Sequence, residues 1–259
     1  MSTLVKDRVR QLANLLIIPT AIIINAFNGP KNGEVARQTE PLLAASGWTF
    51  MVWNLIFLGL IGYAVFQALP SQRTNPALRR IGPFTAIASA CTGVWVLLFT
   101  NLHFTAAWLT ILVLLGSLIA IEVLLGDAAR SGKALWLVRV PFGVMLGWVS
   151  AAVILNTAQW LHTVVRWNGA PLTPLSWSLL LVAVALALGM VMGLVRRNLS
   201  FVAVMSWALL GIATYVQPQS LVIAAGLACG ALAVLFVGEL IAMRTGRLSL
   251  DLRGQQRWV

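Results

Sequence analysis

The amino-acid sequence predicts an all-α fold, a polytopic transmembrane bundle of eight helices. Its 259 residues are 59% hydrophobic and only 10% charged, and the mean hydropathy is +0.89. Such a composition is typical of integral membrane proteins. Apolar runs close to the length of a membrane span recur eight times, and basic residues collect in alternate connections between these runs.

Each of the eight apolar segments approaches the roughly 20 residues that a helix needs to cross a bilayer core. They cover residues 11–27, 46–69, 82–101, 104–125, 135–161, 175–195, 199–216 and 219–243. The first is the shortest, and with the basic residues ahead of it a signal peptide is the competing interpretation. We expect a membrane helix, because no small-x-small cleavage site follows it.

The charges predict the orientation of the bundle. When the spans are threaded in order, 15 of the 18 basic residues fall on one side, and the other side has Lys31, Arg37 and Arg166. Basic residues accumulate in cytoplasmic loops. Both termini are therefore predicted to be cytoplasmic, in a bacterial-type inner (plasma) membrane, with residues 246–259 as a cytoplasmic tail.

The net charge of +11 does not indicate a nucleic-acid partner. Its basic residues are scattered over short turns, and no soluble domain is predicted that would present them to DNA or RNA. Attraction to anionic headgroups explains them, so membrane lipid is the expected partner. Cys91 and Cys229 lie near mid-membrane, without metal-ligand spacing, and are expected to be small core residues.

The segment HTVVRWNGAPLTP (162–174) marks the predicted division of the chain. It separates a tryptophan-rich block of five helices, residues 1–165, from a three-helix block, residues 172–245. Small residues at four-residue spacing predict close helix contacts in the second block. They are Ala185, Gly189 and Gly193, and Gly226 with Gly230. Packing within the chain is favoured over dimerisation, and a homodimer or a larger membrane complex stays open.

Tryptophans and amides concentrate in one half of the predicted membrane. In LGWVSAAVILNTAQW (146–160), counting in steps of four places Trp148, Ala152, Asn156 and Trp160 on one stripe of a helix. Trp53, Asn54 and Trp95 fall at a similar depth on two other helices. An interfacial aromatic belt explains Trp48, Trp108, Trp160, Trp167 and Trp177. For the deeper set, packing between helices and a pocket for a flat apolar ligand remain two open explanations.

The histidines, the glutamates and the search for catalytic motifs give weaker indications of function. His103 and His162 are outer-rim positions where a haem iron or a chlorophyll magnesium is conceivable, but a solvated histidine is simpler. Glu122 and Glu239 are candidates for proton coupling, against simple pairing with Arg130 or Arg244. The sequence has no Ser-His-Asp arrangement, HExxH, CxxC or phosphate-binding glycine loop. We therefore predict no enzyme activity, no catalytic residue and no metal site.

Three stretches resemble the translocator-protein family, also called tryptophan-rich sensory proteins or TspO/MBR. They are ASGWTFMVWNLIF (45–57), ACTGVWVLLFTNLHF (90–104) and VPFGVMLGWVSAAVILNTAQW (140–160). Family members have W-x-F…W-x-x-L-Y at the start of helix 2, N-x-x-W in helix 3 and V-P-Y…W…A-x-x-x-L-N in helix 5. The resemblance covers residues 8–162 and leaves three additional helices.

The resemblance implies a five-helix bundle that binds a porphyrin, another tetrapyrrole including a haem-type ligand, or a sterol-like molecule for sensing or transport. Its implied pocket lies between helices 1, 2, 3 and 5. Two positions depart from the family pattern: Phe57 replaces the tyrosine, and Thr92 stands in place of the helix 3 asparagine. Asn54 is the candidate to replace the lost polar contact. The expected ligand-binding residues are Trp53, Asn54, Phe57, Trp95, Trp148, Asn156 and Trp160.

Overall fold

The computed structural model describes residues 3–245 and confirms the all-α fold class, with eight principal helices and no strand in that range. The helices are α1 Thr3–Gln38, α2 Val52–Ala68, α3 Pro76–Thr100, α4 Phe104–Leu125, α5 Val140–Trp160, α6 Pro174–Leu194, α7 Leu199–Ala213 and α8 Gln219–Arg244. One turn of 3-10 helix, Gly47–Met51, precedes α2, and π-helical turns Leu135–Arg139 and Leu161–Val165 extend α5. The predicted tail, residues 246–259, lies outside the described residues.

Seven of the eight helices are long and apolar enough to cross a membrane. The exception is α7, whose 15 residues span about 22 Å. The predicted span 199–216 is therefore too long. Phe201, Val202, Met205 and Leu209 of this helix are each almost fully buried. The short α7 is thus an interior helix, packed against α5, α6 and α8.

The first helix is much longer than the predicted segment 11–27. α1 has 36 residues, about 54 Å, and continues through Pro19 and Pro30. A proline inside a helix removes one backbone hydrogen bond, and here the helix continues despite that loss. The polar residues after position 27, which suggested a loop, form instead the last turns of a helix longer than a bilayer core is thick.

The packing order differs from the chain order. α3 packs between α1 and α4, whereas α5 contacts α2, α4 and α7, and α6 and α8 pack around α7. We call the end where α2 begins and α3 ends the cavity end. The opposite end, with the connections at residues 69–75, 126–131 and 195–198, is the basic end.

Glycines allow close approach between α5 and α7. A Cβ at Gly147 would lie 2.9 Å from the carbonyl oxygen and 3.1 Å from the Cα of Phe201. Gly143 likewise packs on Asn198. No side chain larger than hydrogen fits at Gly147 unless the two backbones separate.

The predicted glycine contacts of the second block are half right. Gly189 and Gly193 pack against Leu232 and Leu235 of α8, so this stripe does serve packing within the chain. Gly226 and Gly230 have no atom within 4 Å of an added Cβ, and close contact at that pair is not found.

Polar side chains join the helices at the basic end. Glu122 of α4 is buried and accepts hydrogen bonds from Arg139 at 3.4 Å and from the Asn198 amide at 3.1 Å. Arg196 lies 3.7 Å from the same carboxylate. Charges that leave water need partners of this kind, and these link α4, the start of α5 and the connection before α7.

Gly147→Ala tests the contact between α5 and α7. Overpacking costs about 1–3 kcal/mol and outweighs the ~1 kcal/mol that alanine gains over glycine in a helix. We expect a lower thermal midpoint in detergent, by about 2–4 °C for each kcal/mol lost. Gly116→Ala in α4 is the matched control, because an added Cβ there meets nothing within 4 Å. Equal midpoints for the two variants would contradict the packing described.

Candidate functional site

A cavity of about 580 Å³ opens at the cavity end of the bundle. Its walls come from the last turns of α1, the chain between α1 and α2, the first half of α2, the ends of α3 and α5, and the middle of α4. One residue beyond α7, Tyr215, also lines it. The implied walls were helices 1, 2, 3 and 5, so α4 and Tyr215 are additions.

Aromatic rings form the inner part of the cavity. Trp53 stacks on Phe57 with ring centroids 5.3 Å apart, and it meets Trp148 edge-on at 6.4 Å. Trp95 stacks on Phe99 at 5.1 Å. Rings packed in this way hold one another in place. Trp53 and Phe57 are half-buried and offer ring surface to the cavity, whereas Trp95 and Trp148 are only 5% and 2% exposed.

Asn156 has a hydrogen-bond partner on another helix. Its side-chain oxygen accepts a hydrogen bond from the Trp95 indole at 3.2 Å, and its amide nitrogen donates to the Ala152 carbonyl of its own helix at 2.8 Å. The amide therefore joins α5 to α3 and fixes the Trp95 ring. Both explanations offered for the deeper aromatic set apply here, since the residue packs between helices and lines the cavity.

Two other amides of the cavity lining have fewer hydrogen-bond partners. Asn54 is exposed toward the cavity and makes no hydrogen bond to the described residues. The Oδ1 atom of Asn32 is buried and likewise lacks a partner in the described part of the chain. The exposed amide of Asn54 is open to a hydrogen-bonding guest, whereas the Asn32 oxygen is buried out of reach of one.

Charged groups lie at the mouth of the cavity. Arg37 and Glu40 are exposed and line it. The Tyr215 phenol donates a hydrogen bond to the Glu40 carboxylate, with oxygen distances of 2.9 and 3.0 Å. This hydrogen bond raises the pKa of Tyr215 above its ordinary value, so the phenol remains a donor at neutral pH.

Six of the seven predicted site residues surround the one cavity, and Trp160 does not. Its ring stacks on Trp108 at 4.5 Å, and its indole donates to Thr105 at 3.0 Å. The prediction for Trp160 was wrong because it counted in steps of four, whereas a helix turns about 100° per residue. Three such steps from Trp148 rotate the side chain by about 120°, from the cavity to α4.

The residues proposed for an aromatic belt are paired with one another or with α7. Besides Trp108 and Trp160, Trp167 meets Trp177 at 4.7 Å, and Trp48 meets Trp207 at 4.6 Å.

Thr92, which replaces the family's helix 3 asparagine, is buried. Its hydroxyl donates a hydrogen bond to the Ala88 carbonyl of its own helix. Thr92 does not line the cavity.

The histidines and glutamates considered as functional candidates lie outside the cavity. His103 and His162 are exposed and do not line the cavity. Glu122 pairs with Arg139 and Arg196, and Glu239 with Arg197 at 3.0 Å, rather than with the predicted Arg130 and Arg244. Over residues 3–245, no three His, Cys, Asp or Glu side chains form a group suited to a metal ion.

Several lining residues escaped the sequence analysis. Asn32, Arg37 and Glu40 fall between the predicted spans 11–27 and 46–69, and the first two belong to the part of α1 that the prediction left out. Ile111 and Leu114 of α4 are ordinary apolar residues without a distinguishing pattern. Tyr215 is far away in the chain, and only the tertiary contact between α7 and α5 brings it to the cavity.

Comparison with known families gives one match. A family model described as TSPO-like protein matches residues 9–239, which includes most of α8 as well as the first five helices. Searches of curated proteins and of solved structures gave no match. The match spans both predicted blocks, so the C-terminal helices belong to the matched region.

A double-mutant cycle tests the link between α3 and α5. Asn156→Leu keeps the side-chain volume but leaves the Trp95 indole without an acceptor, and Trp95→Phe removes the donor. Polar contacts of this kind in membrane proteins are worth about 0.6 kcal/mol on average and up to ~1.7. We expect the double variant to be more stable than the sum of the single losses predicts, as measured by thermal midpoints. Strict additivity would contradict the bond.

Proposed function

The chain belongs to the TSPO-like family, and from this membership and the geometry of the cavity we propose that it binds a planar, largely apolar molecule. Porphyrins, other tetrapyrroles including haem-type ligands, and sterol-like molecules are the proposed ligand class. The binding serves sensing or transport, and the protein is not an enzyme. The proposed site consists of Trp53, Asn54, Phe57, Trp95, Trp148 and Asn156.

The observation that carries this proposal is a cavity of suitable size between aromatic faces. Small-molecule sites have volumes of about 300–1,000 Å³, and this cavity has about 580 Å³. Trp53 and Trp148 form one aromatic contact in its lining, and Trp95 and Phe99 form another. Flat apolar molecules gain both burial and ring stacking in such a space.

The polar groups of the cavity support an amphipathic guest. Asn54 offers hydrogen bonds that no described residue uses, whereas the Asn156 side chain already bonds to Trp95 and Ala152. Arg37 and Glu40 at the mouth leave one end of the cavity charged. A ligand with an apolar body and a polar edge would place that edge toward the mouth.

The chain is a multi-pass membrane protein of this family. Within that, we propose the inner membrane of a bacterial-type cell, with both termini in the cytoplasm. The distribution of 15 of 18 basic residues to one side supports this orientation. The cavity then opens on the side away from the cytoplasm.

Proton-coupled transport through Glu122 or Glu239 has weaker support. Both carboxylates lie at the basic end, and each pairs with at least one arginine. Glu122 joins α4 to the start of α5, and Glu239 joins α8 to the connection before α7, so both carboxylates have a structural role without proton coupling. Within the proposed function, residues 1–165 provide most of the cavity, and residues 172–245 form the three-helix extension.

Titration of the purified protein with protoporphyrin tests the proposal, with porphyrin absorbance as the signal. Trp53→Ala removes one stacking face, and we expect about ten-fold weaker binding, equivalent to ~1.4 kcal/mol. Trp148→Phe keeps most of the apolar ring and should cost less. Trp160→Ala is the matched control, because this tryptophan lies outside the cavity.

Two results would overturn the proposed site. One is undiminished affinity in Trp53→Ala, and the other is an equal loss in Trp160→Ala. Either shows that the porphyrin binds at another surface or partitions into detergent.

A further inference from the structure

The chain between α1 and α2 forms the outer wall of the cavity. We call residues 39–51 the wall segment. It contributes Glu40, Pro41, Leu43, Ala44, Ala45, Gly47 and Phe50 to the lining. A ligand in the cavity would contact this segment, so the contacts that hold the segment in place bear on ligand exchange.

The wall segment is hydrogen-bonded to α7. The Ser46 amide donates to the Gly211 carbonyl at 3.0 Å, and the Trp207 indole donates to the Thr49 carbonyl at 3.0 Å. The rings of Trp48 and Trp207 meet edge-on at 4.6 Å. Two backbone groups of a connecting segment thus find their partners in the C-terminal helices, which lowers the cost of keeping the segment in place.

The same helices also enclose side chains of the wall segment. Leu43 is 2% exposed and shares a small apolar recess with residues of α5, α6 and α7. Thr49 is fully buried against Gly211, where its methyl group occupies the space that a Cβ would need. These contacts bury apolar surface on both sides of the two backbone hydrogen bonds.

Tyr215 extends this contact to the mouth. Its phenol holds Glu40 near the start of the wall segment, and its side chain lines the cavity. At the adjacent residue, Gln159 of α5 donates a hydrogen bond to the Thr39 hydroxyl. The segment is thereby attached at its beginning, middle and end, mainly by residues of the C-terminal half.

We infer that α6, α7 and the residues directly after α7 act as a clamp that holds the wall segment over the cavity and so sets the rate at which ligand leaves. Trp207 and Tyr215 are the positioning residues, and Tyr215 also lines the cavity. The clamp itself follows from the contacts above. Its effect on ligand exchange rests on the proposed function.

Backbone hydrogen–deuterium exchange tests the clamp without any ligand. Trp207→Phe keeps an aromatic ring but loses the indole donor, and Tyr215→Phe loses only the hydroxyl. We expect amides of the wall segment to exchange several-fold faster in both variants. Trp177→Phe is the matched control, because this half-buried tryptophan of the same helices donates to the Gly169 carbonyl, away from the wall segment.

Unchanged exchange of the wall segment in both variants would overturn the clamp. Equal acceleration in Trp177→Phe would do so too, because it would show general loosening of the C-terminal helices. If Trp207→Phe fails to fold, Tyr215→Phe decides alone, since its side chain is at the surface.

Dissociation of protoporphyrin, followed by stopped flow, tests the effect on the ligand. We expect the dissociation rate to rise about five- to ten-fold in Trp207→Phe and Tyr215→Phe, and to stay at the wild-type value in Trp177→Phe. Faster amide exchange with an unchanged dissociation rate overturns the link to ligand release. If the wild-type protein does not bind protoporphyrin, that link and the proposed function fail together, and amide exchange alone decides the clamp.

Discussion

The close contact between α5 and α7 sets the positions of the parts around the cavity. Gly143 and Gly147 give α5 a surface on which α7 packs almost backbone to backbone. The same helix carries Trp148 and Asn156 into the cavity. Because α7 lies so near, its last residues reach the wall segment, and Tyr215 arrives at the mouth. A bulkier residue at Gly147 would move the C-terminal helices away from the very segment that they hold.

Lipid offers no hydrogen bonds, so an amide that leaves water gains from a partner within the protein. Asn156 pairs with Trp95, and Gln159 pairs with Thr39. Each bond joins two separate parts of the chain, so the cavity is held open by polar contacts at its edges. Asn54, which has no side-chain partner among the described residues, faces the space that a guest would fill. Structural and ligand-facing amides therefore occur side by side, and residue type alone does not distinguish them.

Much of the fold could be predicted from the sequence, since apolar length and alternating charge identify membrane helices directly. The depth of Trp53, Trp95 and Trp148 was also predictable, because depth follows from position along a helix. The direction of each side chain around its helix was not predictable in the same way, because an error of one residue changes that direction by about 100°. Counting in steps of four therefore misplaced Trp160. The length of α1 was hidden by Pro30, which usually ends a helix but here does not. The contribution of Tyr215 depends on long-range packing, for which a single sequence contains no local signal.

The most direct test of the account is an experimental density map of the protein with protoporphyrin bound. The account predicts planar density between Trp53, Trp95 and Trp148, enclosed by the wall segment, with Tyr215 still bonded to Glu40. Density on the outer, lipid-facing surface of the helices, together with an aromatic cavity collapsed on itself, would contradict it.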